Sequence, residues 1–266
     1  MPLNPSSVHS LRRVFNEGFS VYDITEPLVS FDTASPAGEV RHFMQERGYE
    51  VVGARDEGVV VGYLDKADLT EGPCGEFVRS FDEAHVVIDT APISDVVLKL
   101  EHTPRLFVSL LGRVGGIVTR SDLQKPPVRM WLFGMVTLIE MRFTRLIEQF
   151  CPDDSWKQSL SAGRVEKAEQ LLEERARRNQ QIDLLDCIQF SDKGQIIARN
   201  AELRELTRFE SRRQIEQAFK DIERLRNNLA HSQDIITSDW EVIVKLSENL
   251  DQVLEGPPGL QRPESD

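Results

Sequence analysis

Hydrophobic and polar positions divide the chain into two halves of different rhythm. In the first, a short apolar run (Leu28–Phe31, then again Val86–Ile88) leads into a stretch with helical spacing (Ala37–Glu46; Ser94–Glu101). Two further apolar runs follow each stretch, Tyr49–Gly53 with Val59–Leu64 and Leu106–Leu111 with Gly115–Thr119. Strand signals flanking turn residues, with a helix between, predict α/β units. From Pro127 the pattern is helical: Pro127–Gln149, Val165–Gln180, Leu184–Phe190, Lys193–Ala198, about Glu210–His231, and Thr237–Leu254 with Ser238 or Thr237 as its cap. The first of these places Trp131, Val136, Leu138, Ile139, Leu146 and Ile147 in a core. In the long helix Ile215, Ala218, Phe219, Ile222, Leu225 and Leu229 form one apolar stripe.

The first half repeats itself in residues as well as in rhythm. Asp32-Thr33-Ala34 opens a segment closed by Gly62-Tyr63-Leu64-Asp65-Lys66-Ala67-Asp68-Leu69, and Asp89-Thr90-Ala91 opens one closed by Gly116-Ile117-Val118-Thr119-Arg120-Ser121-Asp122-Leu123. The closing pattern, with the earlier Asp23-Ile24-Thr25-Glu26-Pro27, resembles CBS repeats over about residues 20–125. That resemblance implies a pseudo-symmetric pair with clefts for adenosine-containing ligands, AMP, ADP or ATP acting as a regulatory ligand. A carboxylate can accept from both ribose hydroxyls, and a Thr hydroxyl can donate to a phosphate. Carried over, Asp122 and Thr119 take these roles in the second copy, with Arg120 adding a charge-assisted bond, and Asp68 takes the ribose position in the first. There Asp65 replaces the Thr and should repel a phosphate, so the first cleft is expected empty or filled by an uncharged adenosyl group. The competing reading makes Asp68 and Asp122 caps of the helices that follow.

Charge narrows the partners. The 266 residues carry 32 Lys and Arg against 44 Asp and Glu, a net −12. Both halves are acidic, so general coating of nucleic acid is excluded and any RNA contact must be local. Cys74, Cys151 and Cys187 lack C-x-x-C spacing, which argues against a disulfide frame or a zinc site and for a reducing compartment. Residues 1–11 are polar without an apolar signal core, and the most apolar run, Met130–Met141, is too short to span a bilayer. Cytoplasmic placement and no membrane partner are therefore expected. Gln124-Lys125-Pro126-Pro127 is expected to stop regular structure and act as a stiff spacer. Residues 255–266, rich in Pro and Gly, should form a flexible tail.

One polar cluster stands out in the long helix, Arg226-Asn227-Asn228-Leu229-Ala230-His231. Arg226 lies four residues after Ile222, close to the apolar stripe, so it needs a partner or an anionic ligand. Arg226 and His231 are five apart, about 140° around an ideal helix. A bend at Asn227-Asn228, a reaching Arg side chain or a second subunit would be needed to join them. The cluster resembles the signature of HEPN domains, helical bundles that include metal-independent endoribonucleases with an active site across a two-fold dimer. The resemblance covers about 128–254. It implies Arg226 and His231 as the catalytic pair, Asn227 as their polar companion, no metal or catalytic cofactor, a homodimer, RNA as substrate, and a toxin or defence role with a nucleotidyltransferase or antitoxin as partner. Arg199, Arg204, Arg208, Arg212 and Arg213 precede the motif, but Glu202, Glu205, Glu210 and Glu216 are interleaved, as on a solvated face with helix ion pairs.

The expected architecture is thus an α+β multi-domain chain. A lead-in (1–19) precedes an α/β CBS pair (20–125, copies about 20–71 and 80–125), and an all-α HEPN-type bundle follows (126–254). The expected function is adenine-nucleotide sensing that regulates an endoribonuclease. The alternative is a non-enzymatic, nucleotide-responsive regulator whose helical domain serves only dimerisation, with Arg226 and His231 structural.

Overall fold

A computed structural model describes residues 13–14, 17–207, 209 and 211–249. The expected tail, most of the expected lead-in, and Arg208 and Glu210 lie outside the described residues. The chain divides into two compact units at Val128/Arg129. The first is mixed α/β and the second is helical.

The N-terminal unit is one motif built twice. In the first copy, strand β2 (Ser30–Asp32) lies parallel to β3 (Val51–Asp56), which pairs antiparallel with β4 (Val59–Asp65). In the second, β5 (Val86–Ile88) lies parallel to β6 (Arg105–Leu110), which pairs antiparallel with β7 (Arg113–Thr119). The parallel step in each copy needs a crossover, supplied by helix α1 (Ala37–Arg47) and helix α2 (Ile93–His102). Even the irregularities repeat. A register shift falls at Ala54/Arg55 and again at Val108/Ser109. Both hairpins turn on two residues with positive φ, Glu57-Gly58 and Leu111-Gly112, the geometry whose twist matches flanking strands. In the first copy Ala37, Val40 and Met44 of α1 pack with Val52, Ala54, Leu64 and Leu69 into a buried core.

Each copy's lead-in segment crosses to the other copy. Val21–Ile24 forms a 3₁₀ turn, and β1 (Glu26–Pro27) then joins the second sheet, whose order is β1-β7-β6-β5. The strand expected at Leu28–Phe31 is found two residues later, at Ser30–Asp32 on β3, and Glu26–Pro27 forms a separate, unexpected strand on β7. Reciprocally, Cys74–Phe77 forms a 3₁₀ turn and Arg79 pairs with Tyr63 of β4, both amides bonding at 2.9 Å. The two turns are tied alike, Val21 and Tyr22 donating to the carbonyls of Ala91 and Asp89, Cys74 and Gly75 to those of Ser35 and Thr33.

In the helical unit α3 (Pro126–Phe150) buries Trp131, Leu132, Met135, Val136, Ile139, Leu146 and Ile147, with Leu138 half-buried. The double proline does not interrupt structure: Pro126 and Pro127 are the first two residues of α3, where no intrahelical donor is lost and φ is already set. Helices α4 (Ala162–Arg177), α5 (Phe190–Arg199), α6 (Ala201–Glu205), α7 (Arg212–Ala230) and α8 (Ile236–Glu248) follow. The helix expected over Leu184–Phe190 is only a 3₁₀ turn, Leu184–Cys187. Gln189 then opens α5, its backbone N–H donating to Asp192. Helix α8 is capped not by Thr237 or Ser238 but by Asp234, whose carboxylate accepts from the amides of Ile236 and Thr237 at 2.8 and 3.0 Å. Phe143, Phe190 and Phe219 join α3, α5 and α7, with ring centroids 4.8 and 4.9 Å apart. No described helix is long and apolar enough to cross a membrane.

The crossing lead-ins explain the closing glycines. A Cβ on Gly116 would lie 2.2 Å from Thr25 Cγ2, and one on Gly62 would lie 2.5 Å from the Arg79 carbonyl oxygen. Gly62→Ala and Gly116→Ala should each lower unfolding free energy by about 1–3 kcal/mol, the usual cost of overpacking. Gly38→Ala, with no atom within 4 Å of the added methyl, should be neutral or slightly stabilising. Urea denaturation of the three variants checks this.

Candidate functional site

The two closing patterns end in equivalent corners. Asp65 and Thr119 stand three residues after Gly62 and Gly116, and Asp68 and Asp122 stand six after. Strand register makes Arg79 and Glu26 equivalent too, since Arg79 pairs with Tyr63 and Glu26 with Ile117, each just after its glycine.

In the first corner Arg79 grips Asp68 at two points, Nε to Oδ2 at 2.6 Å and Nη2 to Oδ1 at 2.7 Å, the fork geometry of a strong ion pair. That bond, followed by one from Tyr63, pushes the Arg79 pKa up. Asp65 Oδ2 faces two guanidiniums, Arg105 Nη1 at 3.4 Å and Arg79 Nη1 at 3.9 Å. The acidic substitution thus sits between two cations, and the corner's two carboxylates are matched by two guanidiniums.

The second corner is wired differently. Asp122, 9% exposed, accepts from the Thr119 amide at 2.8 Å and the Thr119 hydroxyl at 2.9 Å, as in a capping box at the start of the 3₁₀ turn Arg120–Gln124. Its other oxygen meets Lys125 Nζ at 3.0 Å, and Lys125 also bonds Glu26 and the Ile24 carbonyl. Burial pushes the Lys125 pKa down, but Glu26 and Asp122 outweigh it and the net direction is up. Arg120 turns away, its guanidinium donating to the carbonyls of Leu100 and Glu101, both at 2.8 Å, at the end of α2. Thr119 and Asp122 are therefore brought together, and Arg120 is not with them. A separate hollow of about 510 Å³ lies between α1 and Thr70-Glu71, lined by Gly38, Arg41, His42 and Gln45, and contains none of the sequence candidates.

In the helical unit α7 runs unbroken through Asn227 and Asn228 to Ala230, with His231 as its C-cap. The bend considered from sequence is absent, so the angular offset between Arg226 and His231 stands. Arg226, half-exposed, places Nη1 3.9 Å from Glu140 Oε2 of α3, and Glu140 Oε1 accepts from the buried Lys193 of α5 at 3.1 Å. Asn227 and His231 are exposed. Among the described residues neither the Asn227 side-chain carboxamide nor the His231 imidazole has a hydrogen-bond partner. Of the basic run ahead of the motif, Arg199 and Arg204 donate to the carbonyls of Ser159 and Ala198, while Arg212 and Arg213 are exposed.

Residues that sequence reading passed over hold this helix end in place. Arg129, at the start of α3, donates to the carbonyls of Asn228, Leu229 and Gln233 at 2.8, 3.2 and 3.0 Å. These include the last carbonyls of α7, which lack intrahelical donors and carry the negative end of its dipole. Asp239 of α8, fully buried at its side chain, accepts from Arg224 at 2.9 Å and from Asn228 and Ser238 at 2.7 Å each. A signal existed for Asn228, since Asn in the last turn of a helix followed by Asp in the next is a pairable set; none existed for Arg129.

The three cysteines are buried and unpaired, and burial pushes each thiol pKa up. Among the described residues no group of three or more His, Cys, Asp or Glu could hold a metal ion.

No family model matches the chain, and no curated protein matches it. Solved structures do show a likeness. An uncharacterised conserved protein from Pyrococcus horikoshii is 20% identical with a TM-score of 0.35, over 41% of this chain and 91% of its own. CBSX2 in complex with AMP is 20% identical with a TM-score of 0.35, over 40% and 93%. A hemolysin-like protein containing a CBS domain, from Oenococcus oeni, is 14% identical with a TM-score of 0.35, over 45% and 97%.

Arg129→Met should remove two bonds to the end of α7 and one to the Gln233 carbonyl just beyond it, and cost about 1–2 kcal/mol. Hydrogen exchange should then quicken at the Ser232 and Gln233 amides, which bond back to Leu229 and Asn228, while α1 amides keep their protection.

Proposed function

We propose that the chain is a nucleotide-responsive ribonuclease, a homodimer in which the paired CBS-type repeats sense an adenine nucleotide and the HEPN-type helical unit cleaves RNA in a toxin or defence role. The observation that carries the catalytic half is the end of α7. It is anchored by Arg129 and by the Asp239 cluster, yet it displays Asn227 and His231 to solvent with Arg226 half-exposed beside them. A rigid support presenting polar groups not engaged in holding the fold is what a preorganised site requires.

The chemistry asks for no metal. RNA breaks when its 2′-OH is deprotonated and attacks the adjacent phosphorus in line, expelling the 5′-oxygen and leaving a 2′,3′-cyclic phosphate. His231 is suited to proton transfer because an imidazole can accept a proton at one ring nitrogen and give it up again. Arg226 would stabilise charge on the phosphate oxygens with its planar fork, and Asn227 would orient the phosphate or the imidazole. A base and an acid are both needed and each chain supplies one such histidine, so two-fold pairing of two motifs in one groove supports the cycle. Nucleotide control requires a ligand that favours one of two arrangements.

The second reading, a non-enzymatic regulator, is favoured by the ion pair between Arg226 and Glu140, which gives the arginine a structural use. Incubating the protein with end-labelled RNA beside Arg226→Ala and His231→Ala separates the two. Loss of about 10²–10⁴-fold in cleavage rate in both variants, with folding retained, is the expected outcome. Equal cleavage by all three proteins, or none by the wild type, leaves the regulator.

A further inference from the structure

The two corners are related by the internal repeat but not by charge, and this determines where a phosphate can sit. The first corner holds two guanidiniums, Arg79 and Arg105, against two carboxylates. The second holds one ammonium, Lys125, against two carboxylates, Glu26 and Asp122, and the Arg120 guanidinium is committed to the end of α2. The Thr119 hydroxyl is already bonded to Asp122 and to Ser121.

We infer that the first corner, not the second, is the phosphate-accepting one, with Arg105 and Arg79 as its specificity-determining cations and the Asp65 carboxylate as an internal stand-in for the ligand's phosphate. This deepens the nucleotide-sensing reading and rests on it. Three observations carry it. Both guanidiniums converge on one oxygen, Asp65 Oδ2, so an anion at that point meets both. Their contacts with it are loose, 3.4 and 3.9 Å, against 2.6 and 2.7 Å for the grip of Arg79 on Asp68. An incoming phosphate therefore competes with a weak pair rather than a strong one. Finally, Asp68 keeps acceptor capacity while held by Arg79, because an ionised carboxylate has about four lone-pair sites and Arg79 takes two. A ribose hydroxyl can share it.

Arg105 also joins the corners, since its backbone register partner is Thr119 and its guanidinium points to Asp65. The equivalent position in the first copy, paired with Asp65, is Val51. The second corner therefore has no counterpart of Arg105 and suits at most an uncharged adenosyl group.

Calorimetric titration of the full chain with AMP and with adenosine tests the assignment. Wild type should bind AMP more tightly than adenosine. Arg105→Met should weaken AMP at least tenfold and leave adenosine within twofold. Asp65→Asn should tighten AMP several-fold, a gain that misfolding cannot mimic. Thr119→Val should leave AMP within twofold. Equal affinity for AMP and adenosine in the wild type, weaker AMP binding by Asp65→Asn, or loss of AMP binding by Thr119→Val with Arg105→Met unaffected, would overturn the inference while nucleotide sensing survives. Binding of neither compound by wild type removes nucleotide sensing, and this assignment with it.

Discussion

The N-terminal unit depends on an exchange: each copy's lead-in completes the sheet of the other. β1 lies on β7, and the segment around Arg79 lies on β4. A three-stranded sheet with one covering helix leaves an exposed hairpin edge, and such an edge invites unwanted pairing. The exchange closes both edges with segments too short to form sheets of their own. It also makes the two copies one folding unit, because neither sheet is complete without residues that precede the other. The requirement for glycine at Gly62 and Gly116 follows, since the crossing backbone or Thr25 methyl occupies the space of a Cβ.

The same exchange builds the corners. A lead-in residue that crosses the sheet arrives beside the closing turn of the other copy, so Arg79 meets Asp68 and Glu26 reaches Lys125 beside Asp122. Backbone symmetry fixes these positions, and side-chain identity at them is free to differ. An arginine at one and a glutamate at its equivalent leave the first corner balanced in charge and the second with a carboxylate in excess, without any change of fold. Duplicated architecture with unlike charge is a simple route to two sites of different preference.

In the helical unit the physical problem is a helix terminus. The last carbonyls of α7 have no intrahelical donors, and Arg129 satisfies two of them and the Gln233 carbonyl beyond, while the Gln233 and Ser232 amides fold the chain back. Asp239, buried, is tolerable only because Arg224, Asn228 and Ser238 all donate to it. Within one cluster the residues thus separate by use: Arg224 and Asn228 hold the terminus, while Asn227 and His231 face outward. The offset of about 140° between Arg226 and His231 persists, so a site joining them has to draw on the length of an arginine side chain or on a second copy.

How much of this the sequence discloses depends on the range of the interaction. Strand and helix order in the first half, the boundaries of α1 and α3 to within a residue or two, and the apolar stripe of α7 all come from local periodicity, and they were legible. The double proline misleads because the same two residues that forbid a helix interior suit a helix start. Asp234 rather than Thr237 caps α8 because an Asp placed three residues earlier reaches two amides at once. The partners of the candidate carboxylates were hidden for a different reason. Lys125 and Glu26 are 99 residues apart, and Arg105 and Asp65 are 40 apart, so only the crossing of the lead-ins and the juxtaposition of the two copies bring them together. Read alone, Asp65 is a charge that repels phosphate; read with the two guanidiniums that tertiary folding delivers to it, it marks the place where an anion is already welcome.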